Sequence, residues 1–323
     1  MRRTLRTTGF LLLFLIAGAS PALACAGLIG PNGPVNLVRT TTLAAYHNGV
    51  EHYITAFSFQ GGGGKFGSIV PLPGIPTKVE RGGDWTLQRL IRETQPQVLR
   101  ALPASAAAED RARVILETRI DALDITILEG GGAAVGRWAK EHGFLLPPDA
   151  PEVLDYYAAR SPIFMAARFD ADAARQRGQQ LGDGTPIHLT IPLDNPWVPL
   201  RILALGKQGS DLVRADVYLL TDVRPTYLPR ARRGMFLQYS APASASLTRD
   251  LRSDKGMAWM PSSAMWLTHL AINSSARDLS YDLAVDASGM TLPSRPAGLV
   301  PVLALGMILS AVWATGLASK GSR

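Results

Sequence analysis

The chain holds a single cysteine, Cys25, so no disulfide can form within it and its fold must rest on packing and hydrogen bonds. It lacks a long charged block, a low-complexity tract and an internal repeat, which excludes a disordered tail-like protein and a solenoid. It also lacks G-x-S-x-G, S-x-x-K, H-E-x-x-H and H-x-x-E-H, the local signatures of several hydrolases and zinc proteases. A basic domain is missing too, despite the net charge of +7. Five of the 33 Lys and Arg lie in the first 24 and last 27 residues, which hold no Asp or Glu. Between Cys25 and Pro296, 28 basic residues therefore face 26 acidic ones, and nucleic acid is not expected as a partner.

What the chain does have is an apolar run near each end. Arg2, Arg3 and Arg6 precede the apolar Phe10 to Ala17, and Ala22-Leu23-Ala24 supplies the small residues of a signal-peptidase site. Cleavage there leaves Cys25 first. Cys25 is then either a lipid attachment site or an ordinary terminal residue; Ala22 stands where bacterial lipoproteins carry Leu, Val or Ile. Ala297 to Ala318 is uncharged for 22 residues, with Arg295 before it and Lys320 and Arg323 after it. As a helix it would be about 33 Å long, enough for a hydrocarbon core of roughly 30 Å. The expected order is a signal peptide (1–24), an exported domain (25–290), a stalk (291–296), a transmembrane helix (297–318) and a cytoplasmic tail (319–323). The tail could instead be a sorting signal that is later removed.

Within the domain, Asn48-Gly49 predicts a type I′ turn in a hairpin over Thr40 to Phe59. A two-residue loop pairs His47 with Val50 and Ala45 with His52, so both histidines share one sheet face. Phe66 to Pro71 reads as a strand, and Asp84 as the cap of a helix carrying Leu87, Leu90 and Ile91. Leu102 to Ala108 is the linker candidate, with a subdomain break near 102–110. Arg113 to Glu129 reads as a strand, followed by a helix through Trp138 that stops at Gly143, and by a helix opened by Asp149. Ile163 to Asp170, Thr185 to Leu193, Leu200 to Leu205 and Leu212 to Thr221 read as strands of an antiparallel meander. Trp266 to Asn273 and Leu279 to Asp286 follow. The class is α+β, mostly antiparallel sheet with a few short helices.

This succession resembles the bacterial domain of unknown function 2330 family. Ser68-Ile69-Val70-Pro71-Leu72-Pro73-Gly74-Ile75-Pro76 is similar to its W-V-x-P-V-P-G-x-P segment. The likeness runs through Ile127-Leu128, Trp138, Gly143-Phe144, Pro147, Val153-Leu154 and Tyr157. It continues in Pro199-Leu200-Arg201, Val217-Tyr218, Asp222, Arg224, Trp266-Leu267-Thr268 and Asp278-Leu279. Members carry a signal sequence with a cysteine near the mature N-terminus, as in Cys25-Ala26-Gly27. Two positions depart from the pattern: the second cysteine is absent, and Gly67 or Ser68 stands where an aromatic is usual. The resemblance implies architecture and export, and no mechanism.

Candidate chemistry is sparse. Gly62 to Gly67 satisfies G-x-G-x-x-G, but Phe66 follows Lys65 where a phosphate loop needs Ser or Thr, and a strand follows. Gly130 to Gly136 lies between strand and helix, yet Val135 replaces the third glycine. His47 and His52 are weak metal candidates that need a third ligand. Met257, Met260 and Met265 with His269 could hold copper(I), or form a Met-rich packing patch beside Trp259 and Trp266. Asp170 and Asp172 share a strand face. His142 and His188 read as structural. Arg230, Arg232 and Arg233 form the one compact basic cluster, a candidate for contact with lipid phosphates or an envelope polyanion. No catalytic set and no cofactor is expected. The leading reading is a non-catalytic binding or scaffold module, single-pass in the cell membrane with the domain outside the cytoplasm. Its partners are lipid and a possible envelope protein or polyanion. The rival is an envelope hydrolase whose site assembles only in three dimensions.

Overall fold

The structure is a computed structural model that describes residues 27–30, 33–34, 36–60, 66–83, 85–94, 113–169, 185–231 and 234–289. The leader, Cys25, the 102–110 linker, Asp170, Asp172, Arg232, Arg233 and the 297–318 segment lie outside these residues. Among the described residues no helix is long and apolar enough to cross a membrane.

The hairpin is the centre of the fold. Strands β3 (Asn36–His47) and β4 (Val50–Gln60) pair with His47 opposite Val50 and Ala45 opposite His52. Asn48 and Gly49 take φ of +50° and +77°, the left-handed values that a type I′ turn requires. Around them lies a seven-stranded sheet in the order β14 (Met235–Pro242), β15 (Trp266–Ser275), β12 (Leu212–Thr221), β3, β4, β10 (Ile187–Pro192) and β6 (Lys78–Arg81). Every pairing in it is antiparallel except β12 with β3. One face carries Leu43, Ile54, Tyr218, Leu220 and Leu267. It is covered by α1 (Thr86–Thr94), by α4 (Ala245–Ser253) and by Met257, Met260 and Met265.

A second, six-stranded antiparallel sheet runs β2 (Gly33–Pro34), β1 (Gly27–Gly30), β5 (Gly67–Leu72), β9 (Ile163–Phe169), β8 (Leu123–Glu129) and β7 (Arg113–Ile120). Its apolar residues, those of the other face of the first sheet, and Trp138, Leu154 and Tyr157 of α2 (Gly132–Glu141) and α3 (Ala150–Ala158) form one core. That core takes residues from both sides of the 102–110 segment. The helices meet closely: a Cβ on Gly132 would stand 2.3 Å from Asp155 Oδ1, so only glycine fits there. A small third sheet joins β11 (Trp197–Val198), β16 (Leu283–Asp286) and β13 (Thr226–Leu228).

The fold is mostly sheet with four short helices, as α+β implies, but four local expectations change. Arg113 to Glu129 is a hairpin, because Asp121 adopts φ +54° and turns the chain between Ile120 and Leu123. Leu200 to Leu205 is not a strand: Arg201–Ala204 forms a 3-10 turn. Asp282 Oδ1 accepts the Leu200 and Arg201 N–H groups at 2.9 and 3.0 Å, and Tyr157 Oη accepts that of Ile202 at 2.8 Å. The successive strands do not form a meander, since β9 belongs to one sheet while β10 and β12 flank the hairpin in the other. Asp149 does not cap α3 through its side chain; its carboxylate accepts the Gly206 N–H. In addition, β14 and α4 occupy a stretch whose periodicity suggested no element.

Candidate functional site

The covered face of the seven-stranded sheet gathers most of the chain's histidines. Strand pairing sets one transverse row through all seven strands: Tyr239, His269, Tyr218, Leu43, Ile54, His188 and Glu80. Two polar centres sit near its ends. Both lie under the helical layer, so their protonation is governed first by loss of water.

At the β10 end, His52 Nδ1 and His188 Nε2 are 3.0 Å apart and buried. His188 Nδ1 lies 3.4 Å from Glu80 Oε1, an electrostatic contact rather than a completed hydrogen bond. Each neutral ring has one donor and one acceptor, so a proton on His188 Nδ1 facing Glu80 makes His52 Nδ1 the donor to His188. The segment 254–265 closes over the pair. Trp259 stacks on His52 at 3.7 Å and 1°, and a Cβ on Gly256 would come within 3.2 Å of His188 Nδ1. Burial, with smaller repulsion from His188, His47 and Lys78, pushes His52 down to about 3. Burial also lowers His188 to about 4, with Glu80 opposing and Lys78 assisting. A carboxylate–imidazole–imidazole chain can orient His52, but a ring so reluctant to accept a proton is a weak base near neutrality.

At the β15 end, His269 Nε2 is 2.9 Å from Asp216 Oδ1, both residues being 2% exposed. Arg39 also pairs with Asp216, and His269 stacks on Tyr218 at 4.4 Å. His269 Nδ1 is buried with no hydrogen-bond partner. Met257, Met260 and Met265 are buried in the apolar layer of this same face.

His47 and His52 share a face, as the hairpin register requires, yet they turn to different partners. His47 Nδ1 meets Asp222 Oδ1 at 2.7 Å near the rim, and Asn48 Nδ2 lies 3.0 Å from its Nε2. Among the described residues no group of three His, Cys, Asp or Glu is placed to hold a metal. His142 Nδ1 donates to Trp138 O at 2.6 Å. Arg230 is exposed in the loop after β13.

Glu51, on the opposite face of β4, is fully buried with neither oxygen completing a hydrogen bond. Burial holds its carboxyl well above the usual range, and the Trp197 backbone N–H opposes this only in part.

A family model described as "Uncharacterized protein conserved in bacteria (DUF2330)" matches residues 20–235. The chain belongs to this family. The DUF2330 match spans the hairpin, both histidine partners at His52 and His188, and the Tyr157 contact with the 3-10 turn. It ends at the start of β14. No curated protein matches the chain. A solved structure, baculovirus P35, is similar over 77% of this chain and 96% of that chain, at 11% identity and a TM-score of 0.40.

Sequence reasoning passed over Asp216 and Glu80, took Asp222 only as part of the family pattern, and gave Glu51 no role once the zinc spacing failed. For Asp216 a signal existed. It stands inside the otherwise apolar Ala215 to Leu220, and a carboxylate inside a buried strand must find a partner.

Proposed function

We propose that this DUF2330 domain is a non-catalytic binding or scaffold module of the bacterial envelope, exported by residues 1–24 and held at the membrane by 297–318. One observation carries the non-catalytic part. Three histidines of the covered face are buried: His52 and His188 are paired and kept neutral beneath Trp259, and His269 is bonded to Asp216 and stacked on Tyr218. Such groups specify packing rather than turn over a substrate. The membrane part rests on the partition of two apolar runs, one with a cleavage pattern and one long enough to span.

Fractionation of cells that express the full chain, beside a chain ending at Pro296, tests the reading. The full chain should stay in carbonate-washed membranes and be digested by protease added outside the inner membrane. The shortened chain should become soluble in the exported fraction. Full-length protein with its leader intact in the soluble cytosol would overturn it.

The hydrolase reading draws its support from the His47–Asp222 pair, which has the geometry of a base and its orienting carboxylate. No hydroxyl among the described residues lies within hydrogen-bond reach of that histidine. A hydrolytic activity abolished by His47→Gln would favour this reading instead.

A further inference from the structure

The outer stripe of α4 lines a cleft that none of the preceding chemistry uses. Ala245, Thr248, Arg249 and Arg252 recur at i, i+3, i+4 and i+7, and therefore share one helix side. Ser262 and Ala264 form the facing wall, and the two alanines leave room for a cleft of about 290 Å³. Thr248 is only 6% exposed, and its Oγ1 is buried without a hydrogen-bond partner. The hydroxyl itself is covered, so the cleft meets the rest of this side chain.

The charges around the cleft are unbalanced. Arg252 makes no ion pair among the described residues, and Arg249 reaches Asp250 only at 3.9 Å. Asp250 is itself held by Arg89 Nε at 2.9 Å, and Glu93 by Arg89 Nη1 at 2.8 Å. Asp254 accepts the Thr86 hydroxyl at 2.6 Å. The nearby carboxylates are thus engaged by Arg89 and Thr86, while Arg249, Arg252 and Ser262 line the cleft. Guanidinium forks match the oxygens of a phosphoryl group, which accepts several hydrogen bonds at once. The volume exceeds that of a bare ion, since one water occupies about 30 Å³.

We propose that this cleft binds the phosphate of a small phosphorylated organic ligand, free or as a lipid headgroup. Arg249 and Arg252 supply the charge, and Ser262 a directional donor. The site does not depend on the envelope reading, because it can be titrated wherever the protein resides in the cell.

The test uses the full-length protein in nonionic detergent, titrated with inorganic phosphate, glycerol 3-phosphate and acetate by calorimetry. Its parallel arm titrates the same detergent-held protein with the soluble short-chain lipids dihexanoyl phosphatidylglycerol and dihexanoyl phosphatidylcholine. Saturable binding of glycerol 3-phosphate, weaker for phosphate and absent for acetate, is expected. Arg249→Gln with Arg252→Gln should weaken it at least about tenfold, at unchanged Tm. Ser262→Ala should weaken it several-fold at unchanged Tm. Short-chain lipid binding lost in the same variants, without free-phosphate binding, assigns the site to a headgroup. Acetate binding as well as phosphate, no saturable binding in either arm, or binding indifferent to the double variant would each overturn the proposal.

Discussion

His52 and His188, 136 positions apart in the chain, share a 3.0 Å contact between ring nitrogens beneath the Trp259 indole. Burial disfavours a proton on either ring, and a proton on each would bring two charges together in a dry site.

This pair should make the protein sensitive to acid. Both folded pKa values lie below the unfolded value of 6.5, at about 3 and about 4. The unfolded chain therefore binds more protons between pH 6.5 and 4, and the pair's contribution is full above 6.5 and lost as pH falls through that window. Replacing both rings with apolar ones, His52→Phe with His188→Leu, should be close to neutral at pH 7. At pH 5 it should gain up to about 4 kcal/mol relative to the native chain. Urea unfolding at the two pH values measures the difference; equal pH slopes for both proteins would contradict it.

Glu51 should act with the opposite sign. Burial raises its carboxyl well above the unfolded value of 4.5, so ionisation favours the unfolded chain and stability falls as pH rises from there. Glu51→Gln keeps the shape of the neutral acid and removes the ionisation. The variant should be more stable than the native chain at pH 7, and the gain should shrink towards pH 4.5. Thermal melts across that range would reveal it.

Asp254 ties α1 to the end of α4. Its Oδ2 accepts the Thr86 hydroxyl at 2.6 Å and the Trp85 N–H at 3.1 Å, while Oδ1 accepts the N–H of Lys255 at 2.8 Å. Asp254→Ala strands these donors and should cost about 2–3 kcal/mol, with Asp254→Asn recovering part of it. Gly83→Ala should also destabilise, because the added Cβ would lie 2.3 Å from Asp254 Oδ2. Denaturant midpoints for the three variants provide the check.

Asp216 holds the other histidine centre. Asp216→Ala leaves the Arg39 guanidinium without its partner and His269 with neither ring nitrogen bonded, and should cost about 3–5 kcal/mol. His269→Phe removes the buried imidazole instead and should cost less. If equilibrium unfolding ranked the two the other way, the pairing would not be what stabilises this end of the row.

The hairpin, the end of α2 and the α+β class were legible because local chemistry decides them. Asn48-Gly49 accepts positive φ cheaply, Gly143 takes φ +82° just past the helix, and alternation marks β10 and β12. The Asp121 turn was hidden because Asp-Ala carries no glycine. The 3-10 turn at Arg201 was hidden because Asp282 and Tyr157, far along the chain, take its N–H groups.

From sequence alone came the membership of both hairpin histidines in one face, since a two-residue loop leaves no freedom of register. What they touch was a matter for the tertiary structure. The order of strands across a sheet depends on which surfaces bury together, and no local preference encodes it. So β10 beside β4 gave His52 a neighbour in His188, and the segment over that edge set Trp259 against it.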